Sequence, residues 1–258
     1  METIELAFEE FGDPDHAPLI ILHGFFASSR NWRQIAQKLA GRFHVYVPDM
    51  RNHGASPHHP LMDYPAMTAD VLHFMDERGL TTASLLGHSM GGKIAMWLAL
   101  TFPNRLEKLV VADIAPVSYP HNFDATVLAL KALPLADISN RKQAETLLAP
   151  AIPELSYRQF LLQNLVLQDG KYVWRVDLAI FHRAAPHIAA FPATGQDAAF
   201  TGQALFIAGG DSDYIKPDDL KSLFPKAAFS AIEGAGHWLH VQQPAAFLAR
   251  VEDFFSVK

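Results

Sequence analysis

The string Gly87-His88-Ser89-Met90-Gly91-Gly92 sets a serine between glycines two positions to either side. It sits between an apolar run, Ala83 to Leu86, and a helix-forming stretch, Lys93-Ile94-Ala95-Met96-Trp97-Leu98-Ala99. A serine on so sharp a strand-to-helix turn takes a positive φ, which needs small neighbours, and its hydroxyl stands clear of the sheet. Ser89 is therefore the candidate nucleophile, with the amide of Met90 placed for half of an oxyanion hole. Gly234-Ala235-Gly236-His237-Trp238 precedes a C-terminal helical stretch. A neutral imidazole there can take the serine proton and return it to a leaving group, so His237 is the candidate base. His23-Gly24-Phe25-Phe26 follows the run Leu19-Ile20-Ile21-Leu22, which offers the Phe25 amide as the second oxyanion donor.

The third member of a triad is open on the residues alone. Asp113 ends the run Leu109-Val110-Val111-Ala112, and Asp213 follows Phe206-Ile207-Ala208-Gly209-Gly210-Asp211-Ser212. Both are candidates for the acid, and Asp211 is a third choice. The remaining histidines offer less. His23 reads as a hydrogen-bonded structural group, His88 as pointing away from the nucleophile, and His240 as facing solvent or packing on the last helix. His53, His58 and His59 match no ligand spacing, and no metal or cofactor is called for. Asp49 and Arg51 read as a charge-assisted pair bracing the oxyanion turn.

Elements must carry these groups to one place. Short apolar runs alternate with helical stretches, the pattern of a mostly parallel sheet covered on both faces. The strands expected are Thr3 to Glu10, Leu19 to Leu22, His44 to Pro48, Ala83 to Leu86, Leu106 to Ala112, Ala204 to Ala208 and Ala228 to Ile232. Helices are expected near Ser29 to Ala40, Tyr64 to Arg78, Met90 to Thr101, Pro217 to Leu223 and Pro244 to Phe255. From about Val117 to about Pro192 the rhythm breaks into short helices with a hairpin signal at Asp169-Gly170. We read residues 1–258 as one α/β domain with this stretch inserted as a helical cap over the carboxyl ends of the strands.

Composition limits the classes of function. The 258 residues are 50% hydrophobic and 19% charged, with a formal net charge of -6. That suits one sizeable core and argues against disorder. Lys and Arg are scattered, so no nucleic acid is implied. No stretch has the look of a signal peptide or a membrane span, which suggests a cytoplasmic protein without a membrane partner. There is no cysteine, so a thiolate nucleophile, a disulfide framework and a cysteine-held metal are excluded.

Taken together, Asp49-Met50-Arg51-Asn52-His53-Gly54-Ala55-Ser56, the Ser89 string, Asp113-Ile114-Ala115-Pro116 and the His237 string resemble the YbfF-type acyl esterases of bacteria and their eukaryotic relatives. The likeness runs through nearly the whole chain and is weakest in the cap. It implies an α/β-hydrolase fold, Asp113 as the acid and Ser212 as an assisting group for the histidine. Asp213 departs from it, because relatives carry an uncharged residue there. The activity implied is hydrolysis of short-to-medium acyl esters, and acyl thioesters besides, by a monomer or homodimer. Phe26, Trp238, Phe181 and Trp174 are candidates to line an apolar acyl slot. Rival readings are a carbon–carbon bond hydrolase, which needs cationic groups to grip its substrate, a perhydrolase, and a ligand-binding protein that has kept the triad.

Overall fold

The computed structural model describes residues 2–120, 123–195 and 198–256. Its strands are β1 (Phe8–Phe11), β2 (Ala17–Leu22), β3 (Phe43–Pro48), β4 (Ala83–His88), β5 (Leu106–Ala112), β6 (Leu165–Gln168), β7 (Lys171–Trp174), β8 (Gln203–Gly209) and β9 (Ala228–Ile232). Seven of them form one sheet in the order β1-β3-β2-β4-β5-β8-β9. Only β1 runs antiparallel to its neighbour.

Strand periodicity divides the core in two. In β2, Ile20 and Leu22 pack to one face while Leu19 and Ile21 pack to the other, all fully buried. Leu85, Leu109 and Val111 share the first face, and Leu86, Val110 and Ala112 the second. Successive side chains point to opposite sides of a strand, so runs without polar alternation mean that both faces are covered. Helix α1 (Arg33–Leu39) covers the second face with the C-terminal helix, and α2 (Tyr64–Glu77) and α3 (Met90–Thr101) cover the first. Asp63 caps α2 by accepting from the Ala66 amide at 2.8 Å, and Pro65 fits its first turn.

Between β5 and β8 the chain forms α4 (Asp124–Lys131), α5 (Arg141–Leu148), α6 (Leu155–Leu161), the β6–β7 hairpin and α7 (Leu178–Ala189). In the hairpin Gln168 pairs with Lys171, and Asp169 and Gly170 have φ of 50° and 76°. Two positive values in a two-residue loop suit the right-handed twist of the strands. After β9 come a short α8 (Leu239–Gln242) and then α9 (Pro244–Ser256). Among the described residues no helix is long and apolar enough to cross a membrane.

Some expected boundaries are corrected. The first strand begins at Phe8 because the preceding amides are taken by side chains: Ile4 donates to Asp70 and Ala7 to Ser56. The helix expected at Pro217 to Leu223 is only a 3-10 turn, Pro217–Leu220. Pro225 closes the segment and disfavours helical geometry just before it. The Ser29 to Ala40 stretch divides into a 3-10 turn, Ser29–Trp32, and α1.

Candidate active site

Strands β3 and β4 lie on opposite sides of β2, so the chain leaves β2 one way and β4 the other. Such a reversal opens a crevice at the carboxyl ends of the strands. The turn after β2 and the turn after β4 meet there. Ser89 has φ 54°, and its glycine neighbours are required by space. A Cβ on Gly87 would stand 2.3 Å from the Gly91 carbonyl oxygen, and one on Gly91 would stand 2.1 Å from that of Leu22. A Cβ on Gly24 would lie 3.3 Å from that of Ser89, which shows how closely the turn after β2 approaches the serine.

The ring of His237 bridges two loops. Its Nε2 lies 3.1 Å from Ser89 Oγ and its Nδ1 lies 2.8 Å from Asp113 Oδ2. An ionised carboxylate can only accept, so Nδ1 carries the proton and Nε2 is left to accept from the serine. Asp113 is fully buried. Burial pushes its carboxyl up, but the hydrogen bonds from His237, Ser212 and the Gly209 amide outweigh that and hold it below the ordinary value. Ser212 Oγ donates to Oδ2 at 2.5 Å and the Gly209 amide to Oδ1 at 2.9 Å. Asp213 is exposed and Asp211 likewise; among the described residues neither meets the histidine.

The amides of Phe25 and Met90 donate to nothing else among the described residues, and Met90 opens α3, whose N-terminus favours negative charge. The turn holding Phe25 is fixed from behind. His53 Nδ1 donates to the Arg51 carbonyl, so its Nε2 is free to accept from the Phe26 amide at 3.3 Å. Asn164 Nδ2 donates to the Phe26 carbonyl at 2.8 Å. Phe26 itself has φ 64°, a strain that these bonds hold in place. His23 accepts from the Met50 amide and donates to the Gly24 carbonyl. Burial pushes both His23 and His53 down, so both stay neutral. His53 and His59 turn to different partners, His59 meeting Arg51 at 3.3 Å, and do not converge as metal ligands would.

Three readings from the sequence are corrected. Asp49 does not pair with Arg51: it accepts from the Ser29 and Ala55 amides, while Arg51 makes a two-pronged pair with Asp70 at 2.6 and 2.7 Å, both side chains sealed from solvent. His88 does not point away, since its Nε2 donates to the His237 carbonyl at 2.8 Å and the two rings lie 4.7 Å apart. Phe181 and Trp174 do not line the cavity. Phe181 is fully buried and stacks on Phe25 at 4.6 Å from behind, and Trp174, half-buried, packs against the core. His240 is buried, stacked on Trp32 at 4.2 Å and set against Phe247 of α9.

A cavity of about 690 Å³ opens over Ser89. Phe26 and Trp238 line it, together with Phe123, Tyr157, Phe160 and Tyr214. Gln159, Gln163 and Glu154 add polar groups. Among the described residues no lysine or arginine lines it. Sequence reasoning missed Asn164, Tyr214 and Lys93. The last, fully buried in α3, donates to the carbonyls of Ala189 and Ala190 at 2.8 Å each, where α7 ends. A lysine inside the apolar run of α3 was the available signal. Asn164 and Tyr214 left none.

A family model described as the alpha/beta hydrolase fold matches residues 17–244. Among curated proteins the chain is 40% identical over 263 residues to the sn-1-specific diacylglycerol lipase ABHD11 of Danio rerio, covering 97% of this chain and 82% of that one. It is 36% identical over 246 residues to esterase YbfF of Escherichia coli strain K12, covering 94% of each. Among solved structures, one titled marine microorganism esterase superposes with a TM-score of 0.93 at 39% identity, over 97% of this chain and 99% of that one.

Proposed function

The chain belongs to the α/β-hydrolase family, in its YbfF-type esterase branch, and on that footing we propose that it hydrolyses uncharged short-to-medium acyl esters through an acyl-enzyme on Ser89. The relay from Ser89 through His237 to Asp113, at 3.1 and 2.8 Å, carries the reading. Ser89 Oγ attacks the acyl carbonyl as His237 Nε2 takes its proton. The carbonyl oxygen becomes an oxyanion facing the Phe25 and Met90 amides, a donor of this kind contributing about 3 kcal/mol. Asp113 holds the ring and offsets the imidazolium charge, and Ser212 holds Asp113. Collapse of the tetrahedral intermediate breaks the bond to the leaving oxygen, which takes the proton from His237. Water then attacks the acyl-enzyme by the same steps, with the imidazole as base, and frees the acid and Ser89.

The elements between β5 and β8 act in this reading as a cap that shapes the acyl end of the cavity. An apolar wall with no lysine or arginine among the described residues suits a neutral acyl chain and disfavours substrates bearing a carboxylate, the class a carbon–carbon bond hydrolase would grip. Thioesters, which the YbfF resemblance implies, pass through the same acyl-enzyme with sulfur as the leaving atom. Turnover of nitrophenyl esters from acetate to decanoate, beside the matching thioesters and a hemisuccinate, tests this. We expect activity on the short and medium esters, at least tenfold less on the carboxylated ester, and a loss of about 10⁴ or more in kcat for Ser89→Ala. Equal turnover by Ser89→Ala would overturn the reading.

A further inference from the structure

The base has an aromatic wall. The Tyr214 ring lies 4.2 Å from the His237 ring with 29° between their planes. Tyr214 is half-buried, lines the cavity and is fixed through its backbone. Its amide donates to Ser212 Oγ at 3.3 Å, and the Tyr119 hydroxyl donates to its carbonyl. That same hydroxyl accepts from the Ala115 amide at 2.9 Å. Ala115 follows Asp113 after β5, and Tyr214 follows Ser212 after β8. Tyr119 thus ties the loop bearing the acid to the loop bearing the aromatic wall.

We propose that Tyr214 is a positioning residue of the hydrolysis set out above, its ring face holding the His237 ring on the Ser89 to Asp113 line and stabilising the imidazolium that forms as Ser89 attacks. The inference rests on that reading of the triad. An aromatic face carries negative potential and attracts a cation stacked on it, more strongly out of water. His237 is neutral before attack and charged at the tetrahedral intermediate, so the attraction grows along the reaction and lowers the barrier.

The groups around His237 leave that role to Tyr214. Asp113 faces Nδ1 from the end of β5, and Ser89 faces Nε2. On another side His88, from β4, lies 4.7 Å away, and burial pushes it down to about 3. His240, on α8, lies beyond and burial pushes it far down as well. Neither is a cation at neutral pH. Trp238 is more distant, at 6.3 Å and tilted. The ring of Tyr214 is the nearest aromatic face to the charge that develops.

The test compares Tyr214→Phe, Tyr214→Leu and pentafluorophenylalanine at position 214, with Ser89→Ala beside them. The phenyl ring keeps the face, leucine removes it, and fluorination reverses its polarity at nearly the same size. We expect the Phe variant to keep kcat and the pH profile of kcat/KM. The Leu and fluorinated variants should lose about three- to thirtyfold in kcat, with the acid limb moved down by about half a pH unit or more. The fluorinated variant reads the effect even where leucine impairs folding. If Ser89→Ala is inactive while both variants keep the wild-type kcat and acid limb, Tyr214 has no such role. If the Phe variant loses as much as the Leu variant, the hydroxyl matters and the proposal fails. Retained turnover in Ser89→Ala would instead remove the triad reading on which it rests.

Discussion

At the residue scale the sharpest question is which carboxylate serves the base. Asp113 is sealed from solvent and meets the imidazole, a serine hydroxyl and a backbone amide, while Asp213 is exposed. We expect Asp113→Asn to lower kcat on an activated ester by about 10⁴, since an amide selects the wrong tautomer, and Asp213→Asn to leave it within about twofold. The reverse result would move the acid to the later loop. Ser212→Ala should fall between, about tenfold, because it removes one of the bonds that hold Asp113. The serine, the histidine and both oxyanion turns were legible because each stands in a short glycine-bearing string after an apolar run. The acid was not, because two strands end in aspartates and side-chain contacts between distant loops decide between them. The YbfF resemblance pointed to Asp113, whose Oδ2 lies 2.8 Å from His237 Nδ1. Arg51 shows the same limit: its partner, Asp70, lies on the next helix, and nothing in local spacing marks it over Asp49.

At the element scale the site depends on how α3 and α7 are joined. Tyr64 donates to the Ile188 carbonyl at 2.6 Å, and Lys93 to those of Ala189 and Ala190, so the end of α7 is held from α2 and α3. Helix C-termini leave such carbonyls unsatisfied, and a cation suits them. Phe181, on the same helix, stacks behind Phe25 of the oxyanion turn. Lys93→Met would therefore leave the Ala190 carbonyl without its donor and the Ala189 carbonyl with the Tyr119 amide alone. We expect a loss of about 2 kcal/mol in urea unfolding, with faster amide exchange in the last turn of α7. Burial pushes Lys93 down to about 7, so between that pH and its ordinary value near 10.5 the unfolded chain binds the extra proton. Stability should rise with pH across that window in the wild type, and the variant should lose this part of the rise. Unchanged exchange in α7 would show that the tie carries no weight. Central strands were legible as apolar runs without alternation. The first strand and the helix at Pro217 were misread because side chains of Asp70 and Ser56 take the early amides and a proline cuts the later segment short.

Over the whole molecule, histidines buried in the neutral form link folding to acid. Burial pushes His23, His53, His88 and His240 down. Each lowered histidine gains its proton more readily in the unfolded chain, so stability falls as pH drops below about 6.5. Asp113, held below its ordinary value, adds stability that is present above the unfolded carboxylate range and is lost only as pH falls further, through the folded value. We expect melting temperature to decline from about pH 6.5 downward and more steeply in the carboxylate range. Among the described residues His240 Nδ1 is buried without a hydrogen-bond partner, so His240→Phe, which keeps the stack on Trp32, should raise the melting temperature and flatten the first decline. A melting temperature that does not change between pH 7 and 5 would contradict the neutral, buried state of these rings.

All of these scales serve one claim, that the hydroxyl of Ser89 is the reacting nucleophile. The most direct measurement is intact-mass and peptide-mapping analysis after incubation with a fluorophosphonate. One adduct is expected, on the peptide carrying Ser89, formed in step with loss of esterase activity and absent from Ser89→Ala. An adduct on another residue, or full esterase activity in protein modified at Ser89, would contradict it.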